Sequence, residues 1–97
     1  MIALIVNFTV RPGSSDDAMR LIGMMEQATR LEPGCRAYIG LQSLENPLAF
    51  SFYEQYDNQK ALDDHWASAH FAEYVTNGLA PLYASREKAL YSVVSEP

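Results

Sequence analysis

The sequence predicts an α+β fold of the ferredoxin-like type, βαββαβ, in which an antiparallel sheet carries its helices on one face. Three observations support this prediction: strand-like apolar runs occur at both ends and in the middle, stretches with helical spacing separate them, and turn residues divide the segments. Right-handed crossovers then give the split β-α-β arrangement. A length of 97 residues with 48% hydrophobic residues predicts one domain, residues 1–97.

Turn residues bound the first strand and the first helix. Residues 2–10 are β-branched and apolar on both faces, with Asn7 as the polar exception. Pro-Gly at 12–13 ends this strand. Ser14, with an acidic residue three positions later, predicts a capping box for a helix that Pro-Gly at 33–34 stops.

A hairpin and a second helix are expected next. Residues 35–44 and 48–56 are strand-like, and Glu-Asn-Pro at 45–47 is turn chemistry. Asp57 or Asn58 is expected to cap the helix that follows.

The second helical region is predicted in two parts. Ser68 can cap a further helical turn, which Gly78 and Pro81 end, and the last strand is predicted at 87–95. The inward face of the first part consists of Ala61, Leu62, His65, Trp66 and Ala69.

Two helices can cover only one face of four strands. Because the first strand is apolar on both sides, the uncovered face needs a partner, and a second copy of the chain is the simplest one. We therefore expect a homodimer that pairs through its sheets.

Composition excludes several classes of partner. The net charge is −5, and the seven Lys and Arg residues are scattered, so neither nucleic acid nor an acidic membrane surface is an expected partner. No run reaches the ~18 apolar residues that a membrane-spanning helix needs, and the N-terminus lacks the marks of a signal peptide. A lone cysteine, Cys35, favours a reducing compartment, the cytoplasm.

Both histidines and the only tryptophan lie within residues 62–71. His65, facing inward, is either a neutral core imidazole held by a hydrogen bond or a general base in a pocket. Trp66 either packs or forms a flat wall for an aromatic ligand. His70 lies about 140° round an ideal helix from His65; it is a helix N-terminal residue, or a break at Ser68 brings both imidazoles to one cavity.

Two polar strand residues are further candidates. Asn7 is either a structural bridge or a group that holds a polar ligand or a developing anion. Glu54 is either solvent-facing or an orienting partner for an imidazole, with Arg36 as its possible ion pair. We find no glycine-rich phosphate loop, metal-ligand cluster or nucleophile elbow in the sequence, so no nucleotide, metal or other cofactor is expected.

Three segments resemble the antibiotic-biosynthesis monooxygenase family, small proteins of the dimeric α+β barrel type. They are RPG at 11–13, EPGC at 32–35 and FYEQYDNQKALDDHWASAHF at 52–71, in which His65 and His70 match the two histidines of the family motif. The resemblance implies pairing through sheets and a pocket between sheet and helices in each subunit. Members oxidise quinols or polyketide-like phenols with molecular oxygen and no cofactor; others degrade heme, or isomerise or degrade small carbonyl compounds.

For a quinol-type substrate, the resemblance implies a role for each candidate. A phenolic hydroxyl has a pKa near ~10, so His65 would act as the base, and Asn7 with Tyr53 would stabilise the resulting anion. Trp66, Phe52 and Tyr74 would form a dry aromatic wall, and His70 would join them in binding the substrate. The alternatives are an isomerase or degradative enzyme for a small hydroxy-ketone, and a non-catalytic dimer that binds a ligand.

Overall fold

A computed structural model, which describes residues 1–95, has the predicted α+β, ferredoxin-like order of elements. The elements are β1 (Ile2–Val10), α1 (Ser15–Thr29), β2 (Cys35–Gln42), β3 (Ala49–Tyr56), α2 (Gln59–Trp66), α3 (Phe71–Leu79, with π-type hydrogen bonds), a short 3-10 turn (Ala80–Leu82) and β4 (Tyr83–Ser92). Within these residues, none of the helices is long and apolar enough to cross a membrane.

The four strands form one antiparallel sheet in the order β2-β3-β1-β4. Side chains alternate between its faces. Leu4, Val6 and Phe8 of β1 are buried on the face that carries the helices, which we call the inner face; Asn7 is exposed on the opposite, open face. The two faces therefore have different surroundings in this chain.

The core lies between the inner face and the helices. Met25 of α1 and Leu62 of α2 are both fully buried, and each such side chain contributes about 1.5–3 kcal/mol through burial of apolar surface. The aromatic part of the core consists of Phe8, Tyr38, Phe50, Phe52 and Tyr56.

The first and last residues of two strands differ from those predicted, because pairing with neighbouring strands determines where a strand begins and ends. The last strand begins at Tyr83, not at residue 87, because β1 continues to pair with it as far as Val10. It ends at Ser92, not at residue 95, because Ser92 already faces Ile2, the first residue of β1. The second strand stops at Gln42, short of the predicted residue 44.

Two predicted helix caps are confirmed and one is wrong. The Asn58 side chain accepts a hydrogen bond from the backbone N–H of Ala61, and the Ser68 hydroxyl accepts one from that of Phe71. Ser14 makes no side-chain cap, because its backbone (φ −104°, ψ 1°) lies outside the extended region that places a capping oxygen.

Candidate active site

His65 occupies the last turn of α2 and is 1% exposed. Its ring lies among those of Tyr38, Tyr56 and Phe71, with centroid distances of 5.6, 5.2 and 5.4 Å. Leu62, one turn earlier and also buried, holds the same helix face against the core. The predicted inward orientation of His65 is therefore present, and its two ring nitrogens meet different surroundings.

Nδ1 of His65 lies 2.9 Å from Oε2 of Glu32, in the turn between α1 and β2. Gly34 allows this turn to pack directly on α2. Any side chain at this position would overlap the methyl group of Ala61. The Ser68 hydroxyl donates to the carbonyl of His65 where α2 ends. The chain then brings His70 back, so that its Nε2 lies 2.5 Å from the same Glu32 oxygen.

Within residues 1–95, one cluster brings potential metal-ligand atoms close together: those of Glu32, His65 and His70 all lie within 4.8 Å of one another. Bonds of about 2.1 Å in a tetrahedral site would hold ligand atoms about 3.4 Å apart. The separations of 2.9 and 2.5 Å onto one carboxylate oxygen are instead hydrogen-bond distances. The cluster is therefore a carboxylate that bridges two imidazoles through hydrogen bonds.

Nε2 of His65 faces the buried carboxylate of Glu54, 3.7 Å from Oε1, a contact too long for a hydrogen bond. Oε1 accepts a 2.5 Å hydrogen bond from the hydroxyl of Tyr56. Burial raises the pKa of Glu54 to about 7, against the Tyr56 hydrogen bond, with a further increase from the charge of Glu32 and an opposing effect from Arg86. The carboxyl group therefore titrates near neutral pH.

Burial lowers the pKa of His65, although the hydrogen bond and the charge of Glu32 oppose this effect. The ring is therefore neutral at pH 7. Because Glu32 accepts at Nδ1, the proton of the neutral ring is assigned to Nδ1 and the lone pair to Nε2. The basic nitrogen thus points away from Glu32, towards Glu54.

A small cavity lies beside His65, between the inner face and helices α2 and α3, with a volume of about 20 Å³. A water molecule needs about 10–15 Å³, so the cavity accommodates one water, and a larger ligand requires its walls to move. Its polar lining residues are Glu54, His65 and Arg86, and its aromatic ones are Tyr38, Phe52, Trp66, Phe71 and Tyr83.

The predicted site residues separate into four groups, of which three lie on the helix side of the sheet. Phe52 and Trp66 line the cavity with His65, and Lys88 lies 4.4 Å above the Trp66 ring. His70 is close to His65, with ring centroids 6.1 Å apart, but on the Glu32 side. Tyr74 borders a different groove, beside α1.

The structure corrects the predicted placement of Asn7 and Tyr53 beside His65. Both lie on the open face, where the Asn7 side-chain oxygen accepts a hydrogen bond from Ser51 and the Tyr53 hydroxyl accepts one from Gln55. Successive side chains along β1 and β3 point to opposite faces of the sheet, so the residues adjacent to Asn7 and Tyr53 in sequence point to the inner face. The whole sheet therefore separates both residues from the cavity beside His65.

Two other contributors, Glu32 and Arg86, were not identified from the sequence, and no spacing pattern relates either to His65. Of the two alternatives for Glu54, the solvent-facing one is wrong: its carboxylate is buried and faces an imidazole, that of His65. The alternation with buried Phe52 and Tyr56 was the signal for this position. Arg36 does not pair with Glu54, because its guanidinium binds Asp57 at 2.5 and 3.0 Å.

Comparisons with known proteins agree with this fold. The chain is 33% identical over 73 residues to the monooxygenase candidate Rv0793 of Mycobacterium tuberculosis, covering 75% of this chain and 71% of that one. It is 28% identical over 87 residues to the uncharacterized Synechocystis protein sll1783, covering 90% of this chain but only 59% of that relative's length.

Solved structures share the fold of this chain. A candidate antibiotic biosynthesis monooxygenase from Nitrosomonas europaea superposes with a TM-score of 0.93 at 25% identity, over 98% of this chain and 100% of that one. The structure of Rv0793 superposes with a TM-score of 0.88 at 27% identity, over 98% and 96%. The family model named antibiotic biosynthesis monooxygenase matches residues 1–77. The chain therefore belongs to the antibiotic biosynthesis monooxygenase family.

Proposed function

We propose that this protein is a monooxygenase that oxidises a small quinol- or phenol-like aromatic with molecular oxygen and without a cofactor. The observation that carries the proposal is a neutral, buried imidazole whose basic Nε2 faces an aromatic-lined cavity. Family membership and the name of the mycobacterial relative support the same reaction class.

The base makes the substrate oxidisable. His65 removes the hydroxyl proton, and the resulting phenolate is electron-rich enough to give an electron to oxygen. The substrate supplies all four electrons, so that a phenol and O₂ yield a quinone and one water, and no external reductant is consumed. Arg86, at the border of the cavity, is positioned to stabilise the anion, in place of Asn7 and Tyr53.

Substrate binding requires the cavity to widen. An apolar cavity of about 150 Å³ accommodates a benzene ring, far more than the present 20 Å³. Phe71 and Val75 contribute walls from α3, and its π-type hydrogen bonding is a form that is often found at functional sites. We propose that displacement of α3 opens the cavity and that its return excludes water.

We expect the wild-type protein to accelerate oxygen uptake by hydroquinones and activated phenols, with one quinone formed per O₂. An oxygen electrode and the quinone absorbance measure both quantities, with heat-inactivated protein as the control for autoxidation. Uptake no faster than in that control across the substrate series would contradict the proposed reaction. Release of hydrogen peroxide instead of water would identify an oxidase.

Isomerisation or degradation of a small hydroxy-ketone is a second candidate. It is favoured by the juxtaposition of a neutral imidazole with Glu54, whose pKa is about 7, because such a pair can remove one proton and supply another. Turnover that continues under anaerobic conditions would select this function over the oxygenase.

We also propose that two copies pair through the open face. Ile39, Leu41 and Tyr91 project from it and are 43%, 50% and 52% exposed. Analytical ultracentrifugation should give a dimer, and Ile39→Lys should shift it to monomer because a charge would be buried at the interface. Met19→Lys, at an exposed position of α1, is the matched control. A wild-type monomer at micromolar concentration would contradict this proposal.

A further inference from the structure

We infer that Glu32 and His70 form a proton outlet for His65, a hydrogen-bonded chain that carries the substrate's proton from the cavity to the protein surface and back. The inference rests on the proposed function, in which the substrate transfers its hydroxyl proton to His65 inside the cavity and a proton is needed again when water forms. It assigns roles to two residues that do not line that cavity.

The chain of contacts is continuous and leads outwards. His65 Nδ1 is 2.9 Å from Glu32 Oε2, and this oxygen is 2.5 Å from His70 Nε2. The side chains become more exposed along the chain, from 1% for His65 to 16% for Glu32 and 22% for His70. The opposite nitrogen of His65 is the one that faces the cavity. A proton can therefore enter at one end and leave at the other.

Burial explains why such an outlet is needed. A charged imidazole without contact to solvent is costly, which is also why the pKa of His65 is lowered. Transfer along the chain moves the positive charge to the His70 ring, which is partly exposed to solvent. The titratable or charged groups around His65 are Glu32 in the turn, Tyr38 on β2, Glu54 and Tyr56 on β3, His70 before α3 and Arg86 on β4.

The proton transfers balance over one reaction cycle. The substrate O–H bond breaks as Nε2–H of His65 forms, and the Nδ1 proton of His65 passes to Glu32. Glu32 then passes a proton to Nε2 of His70. For this transfer His70 carries its own proton on Nδ1, and it releases that Nδ1 proton to water. Conversion of a phenol and O₂ to a quinone and water releases no net proton. A proton therefore returns by the same route when the second oxygen atom leaves as water, and this return restores the Nδ1–H form of His65.

Nuclear magnetic resonance tests the chain without any substrate. The protein has two histidines, so ¹⁵N-labelled imidazole signals are assigned by single replacement. Because Glu32 raises the pKa of His65, Glu32→Gln should shift the titration of His65 to lower pH, whereas Asp64→Asn, an exposed carboxylate on the same helix, should leave it unchanged. An identical His65 titration in wild type and Glu32→Gln would overturn the chain.

Kinetics test the outlet itself. His70→Gln keeps a polar side chain near Glu32 but cannot carry a proton, so kcat should fall by up to about 10²-fold, the lower end of general acid–base effects, with KM unchanged. Added imidazole buffer should restore the rate, which a purely structural role would not predict. Wild-type rates in His70→Gln at every buffer concentration would overturn the outlet.

Failure of the proposed function would be distinguishable from failure of the chain. If the wild-type protein oxidises no quinol, the oxygenase and the outlet role are both overturned. The NMR response of His65 to Glu32→Gln would then still establish the hydrogen-bonded chain. If oxidation proceeds but the buffer rescue of His70→Gln is absent, the oxygenase stands and the outlet is overturned.

Discussion

Replacement of His65 by Gln is expected to lower kcat for hydroquinone oxidation by about 10²–10⁴-fold, the usual contribution of a general acid–base group. His65 has the neutral, cavity-facing nitrogen that can accept the substrate proton. Glutamine has similar polarity but no basic atom. Oxygen uptake under saturating substrate measures the loss.

The control for this prediction must separate chemistry from folding. His65 is buried among three aromatic rings, so its replacement can also loosen the core. Urea unfolding of His65→Gln, and Asp64→Asn on the solvent side of the same helix, give the two reference points. If His65→Gln folds and its kcat stays within threefold of wild type, His65 is not the base.

The reaction rate of the wild-type protein is expected to change with pH in a defined direction. Since burial lowers the pKa of His65 below its ordinary value of 6.5, neutral imidazole predominates already at pH 7. The rate should therefore rise with pH in the acidic range and level off before neutrality.

Between pH 4.5 and 7, Glu54 is expected to lower the free energy of unfolding of the wild-type protein by about 3 kcal/mol. Replacement of Glu54 by Gln should remove this contribution. The pKa of Glu54 is raised from 4.5 to about 7 in the folded protein. Between these values the folded state holds a proton that the unfolded state has lost. The free energy of unfolding therefore falls as pH rises through this window, by about 1.36 kcal/mol for each unit of the difference between the two pKa values.

Urea unfolding of wild type and Glu54→Gln, at pH values below 4.5 and above 7, measures this contribution as a difference between the two proteins. The comparison is needed because His65 contributes with the opposite sign: its lowered pKa makes stability rise as pH approaches 6.5. Glutamine should still accept the hydrogen bond that Tyr56 donates to Glu54. A wild-type-minus-variant difference that is constant over the range would show that Glu54 is not buried as a neutral acid.

Most of the fold was predictable from local pattern. Alternating strands, helical spacing and the Pro-Gly turns correctly indicated four strands and the helices between them, and Asn58 and Ser68 cap helices as expected. Where the prediction was wrong, at Ser14 and at the limits of β4, the outcome depended on backbone angles or on strand pairing. Neither is encoded within a few neighbouring residues.

The site was predictable only in part. The inward position of His65 followed from helical spacing, and Phe52 and Trp66 do line the cavity beside it. The alternation of side chains along β1 also showed that Asn7 and Phe8 point to opposite faces of the sheet. Because both faces of β1 are apolar, however, the pattern did not show which face the helices cover, and Asn7 was placed at the wrong one.

The sequence by itself determined the order of elements and the inward histidine, because each element and each helix face depends on neighbouring residues. It also determined the family, because the family motifs are short local segments that can be read without the fold. Only the tertiary structure brought Glu32, 33 residues from His65 and 38 from His70 along the chain, into contact with both. It also set the proton affinities of His65 and Glu54, because burial and the charges of distant residues determine them. Interactions between segments far apart in the chain leave no periodic signal in the sequence.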